Sequence, residues 1–424
     1  MNDTPPAPKG WLNRTVIGAG LTSFLSDVCY EMAAAILPSF LQLLTPFAAV
    51  FVGLIEGTAD AIANFAKLSV GWYSDQLERR KPFVVVGYAL TGVSQALFAL
   101  AFSWPLVFIG KSLGWLGKGI RGPLRNAIMA DAVAPEDRGK AFGFHRAGDT
   151  IGAVIGPLIA YAILRWLPPD LYSDTQTPFR LIFVLTLIPG LGAALTFALL
   201  IRERPHPPNP QRLFATLRAL PGSFRRWLIA VGVFGLGDCS DKLLILAATL
   251  MLTPEIGAAR AIQFGILLYA WRNVTQALIA YPVGVASDRI GPRRPLIAGY
   301  FLGAAVMAGF ALTDQFHLAS RSMFVALFAL AGAYLAVEEA LESVITADLV
   351  PDRSLRGTAY GLMGTVNGVG DFFSSLAVGA LMYWVNIPTA FLAASVTMLA
   401  GALLLTRISR QADQPAPDIQ EAAS

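Results

Sequence analysis

Twelve stretches of the sequence are each long and apolar enough to cross a lipid bilayer as a helix. Such a helix needs roughly 18 or more mostly apolar residues. The stretches are too long for the strands of a β-barrel and lack the alternation of such strands. We therefore predict an all-α membrane protein with 12 transmembrane helices. The spans, numbered 1 to 12, are 15–44, 48–73, 83–102, 105–132, 141–166, 179–201, 227–252, 261–286, 295–312, 322–349, 358–384 and 388–405.

The composition agrees with this class. Hydrophobic residues make up 55% of the chain and charged residues 14%, whereas a soluble globular protein carries about a quarter charged residues. The two cysteines, Cys29 and Cys239, each lie in an apolar stretch. With so few cysteines, we expect no disulfide framework.

Basic residues are concentrated in the loops that follow even-numbered spans. By the positive-inside rule, we expect these loops and both termini in the cytoplasm. The same bias accounts for the formal net charge of +4, so we expect no nucleic-acid partner. The short loops favour a prokaryotic plasma membrane, that is, the inner membrane. The basic loop residues are Arg79, Arg80, Lys81, Arg138, Lys140, Arg202, Arg204, Arg212, Arg218, Arg225, Arg226, Arg289, Arg293, Arg294, Arg353 and Arg356.

The chain contains an internal repeat. The segment 130–143, ADAVAPEDRGKAFG, recurs with one insertion as 347–361, ADLVPDRSLRGTAYG, and FLSDVCYE at 24–31 recurs more weakly as GLGDCSDK at 235–242. Such a duplication of six spans predicts two related bundles with a solute site between them. The expected divisions are a cytoplasmic tail 1–14, a six-helix bundle 15–201, a basic linker 202–226, a second bundle 227–405 and a disordered tail 406–424.

A glycine and aspartate motif follows spans 2 and 8 and carries a family resemblance. GVASDRIGPRR at 284–294 matches G-x-x-x-D-R-x-G-x-[RK]-[RK] fully, whereas GWYSDQLERRK at 71–81 has Gln76 and Glu78 at two motif positions. The chain thus resembles major facilitator superfamily transporters over 15–405. The resemblance implies a cytoplasmic latch whose carboxylate, Asp75 foremost, caps a helix of the other half. The latch residues are Gly71, Asp75, Arg79, Arg80, Gly284, Asp288, Arg289 and Arg293.

Span 5 resembles the antiporter motif of drug exporters in that superfamily, G-x8-G-x3-G-P-x2-G-G. Gly143, Gly152, Gly156 and Pro157 match, and the final two glycines are replaced. Small residues let helices approach closely, so tight packing alone also explains each glycine. Span 11 has Ser375 at the position of Pro157, so the Gly-Pro feature is specific to the first half. This difference favours export by proton antiport.

Two acids, Asp27 and Glu31, lie within span 1. Asp27 is about 12 residues into the span, so it lies roughly 18 Å along the helix, near the middle of the bilayer. A buried carboxylate is costly in lipid unless it is paired, protonated or facing a watery cavity. Arg121 and Arg125 on span 4 are spaced by four, as the two acids are, and we expect them to pair with these acids.

The repeat places opposite charges at equivalent positions. Arg121 corresponds to Glu338, Arg125 to Glu342 and Glu31 to Lys242, while Asp27 corresponds to Asp238. Because the first and fourth helices of each half line the cavity in the family, the resemblance implies one polar chamber. Permanent internal salt bridges are the alternative interpretation. The proton or substrate residues are Asp27, Glu31, Arg121, Arg125, Arg146, Asp149, Asp238, Asp241, Lys242, Glu338, Glu339 and Glu342, and Lys242 is expected to pair with Glu338, Glu339 or Glu342.

Other ionisable residues in the spans give weaker expectations. His145, Arg146 and Asp149 form a cluster that serves either as a proton relay or as a gate. Arg272 is a candidate partner of Asp371. Lys111 is expected to extend its amine towards the membrane surface from near a helix end.

Enzyme classes are not supported by the sequence. No P-loop is present, and the three histidines lack the spacing of metal ligands. We expect a monomeric transporter with no cofactor or metal, powered by the proton gradient. Its partners are then protons, the lipid bilayer and a small amphiphilic or zwitterionic solute exported by antiport. The alternatives are proton symport of an organic anion into the cell and a lipid flippase on the same fold.

Overall fold

The computed structural model describes residues 10–74, 79–134, 137–167, 175–203, 220–350, 352 and 355–412. These residues form helices joined by short connections, and α3 continues as a 3₁₀ turn, Phe98–Leu100. The helices are α1 Arg14–Leu44, α2 Ala48–Ser74, α3 Lys81–Leu97, α4 Trp104–Asp131, α5 Arg138–Trp166, α6 Thr177–Leu185, α7 Leu187–Leu200, α8 Gly222–Gly235, α9 Asp241–Ile256, α10 Ala258–Ile290, α11 Arg293–Gln315, α12 Arg321–Leu349, α13 Arg356–Trp384 and α14 Ile387–Ala412.

Two of the predicted spans are divided rather than continuous. Span 6 is interrupted between α6 and α7, three residues before Pro189, because a proline ring collides with the carbonyl four residues earlier. Span 7 is interrupted over 236–240, between α8 and α9. This break is rich in weak helix formers, and Ser240 caps α9 by accepting from the backbone N–H of Lys242 at 3.4 Å. The expectation of one continuous helix there is wrong.

The helices have the apolar character that a bilayer requires. Among the described residues, 8 helices are long and apolar enough to cross a membrane when α6 and α7 are counted together. The other predicted spans correspond to α4, the α8–α9 pair, α10 and α13, each of which contains charged residues or a break. The exposed residues of α7 follow one helical face, and an apolar face of this kind suits contact with lipid. They are Ile188, Leu191, Leu195 and Leu199.

The helices form two six-span bundles with matching internal packing. Helices α1 to α7 make the N-terminal half and α8 to α14 the C-terminal half. In the first half α1 packs on α5, α2 on α4 and α3 on α7, and in the second half α8 packs on α13, α10 on α12 and α11 on α14. The halves meet where α2 packs on α13 and α5 on α10, which are equivalent pairs. The predicted all-α fold with two pseudo-symmetric bundles is confirmed.

Glycine allows the two halves to approach closely. A Cβ atom on Gly57 of α2 would lie 2.8 Å from the Cα of Phe372 on α13. Because real Cβ contacts are essentially never so short, only glycine fits at that position. The interface therefore consists in part of direct backbone contact between the halves.

The basic loops define one end of the molecule, here called the basic end, at which α2, α4, α10 and α12 finish. The predicted domain boundaries stay a prediction. Helix α8 begins at Gly222, inside the predicted linker, and α14 continues to Ala412, beyond the predicted second bundle. Much of the predicted tails and linker, 1–9, 204–219 and 413–424, lies outside the described residues.

Candidate functional site

A cavity lies between the two halves and encloses about 580 Å³ of empty space, its opening included. Both halves contribute aromatic and charged side chains to its wall. From the N-terminal half come Tyr30, Glu56, Asp60 and Trp115, and from the C-terminal half come Asp238, Asp241, Lys242, Arg272, Tyr334 and Asp371. Of the residues predicted for a polar chamber, Asp238, Asp241 and Lys242 line this cavity.

The two acids of α1 face the glycines of α5. A Cβ atom on Gly152 would lie 2.9 Å from the Cβ of Asp27, and one on Gly156 would lie 2.9 Å from the Cβ of Glu31. Asp27 is partly exposed, whereas Glu31 is buried, with 7% of its surface exposed. Of these two acids, the one nearer the basic end is thus the more exposed.

The predicted pairing of these acids with Arg121 and Arg125 is not formed in this conformation. Within the described part of the chain, no ion pair of 4.0 Å or less joins either acid to either arginine. Their partners differ because Asp27 faces α5. Its neighbour Ser26 instead accepts from Nη1 of Arg121 at 2.5 Å.

A tyrosine of α3 holds both arginines. The guanidinium carbon of Arg121 lies 4.2 Å from the ring centroid of Tyr88, a cation–π distance. Nη1 of Arg125 donates to the hydroxyl of Tyr88 at 3.2 Å, and Arg125 also donates to Asn126. The two guanidinium groups are therefore held by neutral oxygens and an aromatic face.

The equivalent tyrosine of the second half holds an acid. The hydroxyl of Tyr300 donates to Oε1 of Glu342 at 2.5 Å, and Nδ2 of Asn367 donates to Oε2 of Glu342 at 2.8 Å. Tyr88 directly follows Gly87 in α3, and Tyr300 directly follows Gly299 in α11. Each tyrosine lies seven residues after the first residue of its helix, and each helix follows a basic turn. The recurring Gly-Tyr pair is the signal by which the sequence could have revealed them.

Asp241 neutralises the two cations of the second half. Its carboxylate pairs with Nζ of Lys242 at 2.6 Å and with Nη1 of Arg272 at 2.8 Å. The predicted partners of these cations, Glu338, Glu339 or Glu342 for Lys242 and Asp371 for Arg272, are wrong. Asp241 prevails because it is adjacent to Lys242 in the first turn of α9. Lys242 also lies within 3.4 Å of the hydroxyl of Tyr30 in the other half.

A buried ion pair that the sequence analysis missed supports the N-terminal wall. Nζ of Lys111 lies 2.6 Å from Oε1 of Glu56, and both side chains are nearly fully buried. The same amine lies 3.9 Å from the ring centroid of Trp115. The expectation that Lys111 reaches the membrane surface is wrong, because its amine has a carboxylate and an aromatic face nearby in the interior.

A polar cluster lies near the start of α5. Oγ of Ser23 lies 2.9 Å from Nε2 of His145, and the Ser23 hydroxyl also donates to Asp149. Nδ1 of His145 is 3.5 Å from the Asp149 carboxylate. The expected grouping of His145 with Asp149 is present, and Ser23 connects it to α1.

The third member of that predicted cluster joins the two halves. Nη2 of Arg146 on α5 pairs with Oε2 of Glu339 on α12 at 2.8 Å. Nε2 of Gln276 on α10 donates to the same carboxylate oxygen at 2.9 Å. The ion pair crosses between the bundles, as the gate alternative requires, and the choice between gate and relay stays a prediction.

Within the antiporter-like motif, Gly152 and Gly156 are helix-packing positions and Gly143 is not. A Cβ atom on Gly143 would have no neighbour within 4 Å. Pro157 lies inside α5, directly after Gly156.

The latch is described only in part. Asp75 lies outside the described residues, and so does the side chain of Asp288. Gly71 lies near the end of α2 and Gly284 near the end of α10; Arg79 and Arg289 are exposed, and Arg293 begins α11. Gly291 has a φ of 80° and a ψ of 151°, a conformation open essentially to glycine alone, which explains the glycine of the motif.

A carboxylate caps α3 at the basic end, but from the same half. The backbone N–H groups of Arg80 and Lys81 both donate to the Glu203 carboxylate, the second at 3.0 Å. Nη1 of Arg80 also pairs with Asp131 at 3.3 Å. Glu203 was not predicted, since it follows span 6 and lies more than 100 residues away in sequence.

The comparisons with known proteins agree with this architecture. The family model described as Major Facilitator Superfamily matches residues 19–240 and 232–423. The chain belongs to the major facilitator superfamily. It is similar to an uncharacterised MFS-type transporter of Methanocaldococcus jannaschii, with 33% identity over 93% of this chain and 94% of that protein. As a member of this superfamily it is a secondary transporter of the membrane and not an enzyme.

Solved structures of other major facilitator superfamily proteins share the fold. A POT family transporter in complex with 5-aminolevulinic acid aligns with a TM-score of 0.78 at 12% identity, covering 96% of this chain and 99% of that one. A bacterial homologue of the human lysosomal transporter Spinster, inward-facing and occupied, aligns with a TM-score of 0.73 at 18% identity, covering 95% and 98%. At these identities the likeness concerns the fold alone.

Proposed function

We propose that this transporter exports a small organic solute, amphiphilic or zwitterionic, in exchange for protons across a prokaryotic plasma membrane. Both termini lie in the cytoplasm in this proposal, which follows from the basic loops. The observation that carries the proposal is the burial of the Glu31 carboxyl group without a full set of hydrogen-bond partners. Its Oε2 atom is buried and has no hydrogen-bond partner among the described residues.

A carboxylate in that position requires a neutralising partner. Burying an unpaired charge in apolar surroundings costs many kcal/mol. Lys242 and Tyr269 both act on Glu31, but within the described residues no ion pair of 4.0 Å or less joins Lys242 to Glu31, and Asp241 binds the Lys242 amine at 2.6 Å. A proton can neutralise Glu31 when the cavity faces one side and leave when it faces the other. Asp27, one turn nearer the basic end and partly exposed, supplies the step towards solvent.

The glycines of α5 explain how a proton on α1 is linked to movement. Helix α5 contacts α1 at both acids and also packs against α10 of the other half. A change of charge at Glu31 therefore acts on a helix at the interface between the bundles. Proton binding on α1 and solute binding in the cavity then alternate as the bundles rock about it.

The test is proton movement in proteoliposomes of known orientation that contain a pH-sensitive dye. Cationic, anionic and zwitterionic compounds are added in turn, and proton flux opposite to the compound's own movement is expected. Glu31→Gln should abolish solute-driven proton flux and retain solute exchange. The control is Glu255→Gln, at an exposed acid on the end of the molecule opposite the basic end, and it should leave both activities unchanged. Full proton flux in Glu31→Gln would exclude Glu31 as the carrier.

Proton symport of an organic anion is the second candidate. It is favoured by Arg121 and Arg125, which donate to neutral oxygens and thus retain positive charge that an anion could neutralise. Symport predicts proton flux in the same direction as the compound. The same vesicles distinguish the two functions by the sign of the dye response.

A further inference from the structure

The cavity contains carboxylates that the protein's own cations do not neutralise. Asp60, Asp238 and Asp371 line it, and in the described ranges none of them has an ion pair within 4.0 Å. Asp60 accepts from Nε1 of Trp115 at 2.7 Å and Asp238 from the hydroxyl of Tyr334 at 3.0 Å. The lining cations Lys242 and Arg272 are both engaged by Asp241.

A fourth acid lies near the two C-terminal carboxylates Asp238 and Asp371, whereas Asp60 belongs to the N-terminal half. Glu338 on α12 is 8% exposed, and its Oε2 atom has no hydrogen-bond partner among the residues that the structure describes. Its carboxyl group shares a side-chain hydrogen bond with Asp238, and negative charges on Glu338, Asp238 and Asp371 repel one another. A buried polar atom without a partner is rare in folded proteins. The C-terminal wall is thus built to receive a group that donates hydrogen bonds and carries positive charge.

The opposite wall carries a cation, Lys118, whose charge acts on Asp27 and Glu31 of α1 at longer range than an ion pair. Nζ of Lys118 lies 4.6 Å from the ring centroid of Tyr30 and 5.0 Å from that of Trp115, and both rings line the cavity. Over the described chain, no acid lies within 4.0 Å of this amine. Its neighbour Lys111 differs, because Glu56 neutralises it at 2.6 Å.

We propose that the transported solute is a zwitterion bound in one orientation. Asp238, Asp371 and Glu338 bind its ammonium group, and Lys118 binds its anionic group. The rings of Tyr30, Trp115 and Tyr334 contact the apolar body between them. Cavities of a few hundred Å³ lined by aromatic residues and a few convergent polar groups suit small organic ligands. This inference rests on the proposed transport function and narrows its substrate class.

Three matched probes separate the two charges: phenylalanine, its methyl ester, which keeps only the ammonium, and N-acetylphenylalanine, which keeps only the carboxylate. Calorimetric titration of the detergent-solubilised protein at pH 7 gives each affinity. Phenylalanine should bind at least tenfold more tightly than either derivative. A derivative that binds as tightly as phenylalanine, or the absence of binding by all three probes, overturns the proposal.

Two variants assign the charges to the walls. Asp371→Asn should weaken the binding of phenylalanine and of its ester at least fivefold and leave the binding of the N-acetyl compound unchanged. Asp238→Asn gives the same test if the first variant does not fold. Lys118→Gln should instead weaken the binding of phenylalanine and of the N-acetyl compound. Glu255→Gln and Lys140→Gln, exposed residues outside the cavity, are the controls. Equal effects on both derivatives overturn the assignment.

The outcomes separate this inference from the proposed function. If another compound drives proton exchange in vesicles while none of the three probes binds, proton-coupled transport stands and the zwitterion site is wrong. If the probes bind in the expected order but move no protons, the zwitterion site stands and proton antiport is wrong.

Discussion

Glu31 of α1 and Gly156 of α5 are in direct contact, because a Cβ atom on Gly156 would lie 2.9 Å from the Cβ of Glu31. The same added atom would lie 2.9 Å from the carbonyl oxygen of Val28. The position of the proposed proton site therefore depends on the absence of a side chain at Gly156.

Substitution of this glycine should be costly. Gly156→Ala places a methyl group against backbone, which cannot easily move, and should destabilise the protein by about 1–3 kcal/mol. Thermal unfolding in detergent and solute-driven proton flux measure the effect. Gly143→Ala, in the same motif but with no neighbour within 4 Å, is the matched control and should be neutral or slightly stabilising. Similar losses in both variants would contradict the packing role.

The buried pair of Lys111 and Glu56 should be sensitive to removal of either partner. Lys111→Met leaves a buried carboxylate without its cation and should cost about 3–5 kcal/mol. The double variant Lys111→Met with Glu56→Gln should recover most of that loss, since no uncompensated charge remains. A double-mutant cycle in thermal or denaturant unfolding provides the measurement. Additive losses would show that the pair is not coupled.

The gate pair of Arg146 and Glu339 should bias the conformational equilibrium. Both side chains are largely exposed, with 65% and 48% of their surfaces accessible, so the pair contributes at most about 1 kcal/mol. Arg146→Gln should therefore shift the ratio of the two access states by up to about fivefold, away from the conformation described. Distances between spin labels at the basic ends of α4 and α12, with both native cysteines replaced, report that ratio.

The charge reversal Arg146→Glu with Glu339→Arg should restore the ratio, because the attraction is retained. Arg165→Gln, an exposed arginine at the far end of α5, should not change it. An unchanged label distance in Arg146→Gln would exclude a gating role.

The Glu203 cap should stabilise the start of α3. Glu203→Gln removes the charge at a helix N-terminus and weakens two backbone hydrogen bonds, so a loss of about 0.5–2 kcal/mol is expected. Unfolding temperatures compared with those of Glu255→Gln measure it. Equal unfolding temperatures in the two variants would remove the capping role.

Much of the fold could be predicted from the sequence, because lipid constrains helices more strongly than water does. Long apolar stretches and basic loops predict where the spans begin and end. The break at 236–240 was missed because span length depends on average hydropathy, whereas a break depends on local backbone preference. Gly235, Gly237 and Ser240 carried that local information.

The candidate site was predictable as a set of ionisable residues but not as a set of pairs. Any acid or base in an apolar span demands an explanation, which singled out Asp27, Glu31 and Arg121. Pairing depends on the rotation of each helix about its axis. Ser26 and Asp27 are neighbours in sequence but point in different directions around the axis of α1, so that Asp27 contacts α5 and Ser26 contacts Arg121. No pattern in one sequence resolves that rotation.

The tyrosines Tyr88 and Tyr300 have a consequence for the electric field across the cavity. They occupy equivalent positions, but one holds an arginine and the other a glutamate. At these two positions α4 is therefore positive and α12 negative, and the field that this pair of charges contributes points from one bundle to the other. A dipolar solute turned end for end would meet like charges at both walls. For the zwitterionic cargo proposed above, this field would distinguish head from tail before any shape is recognised.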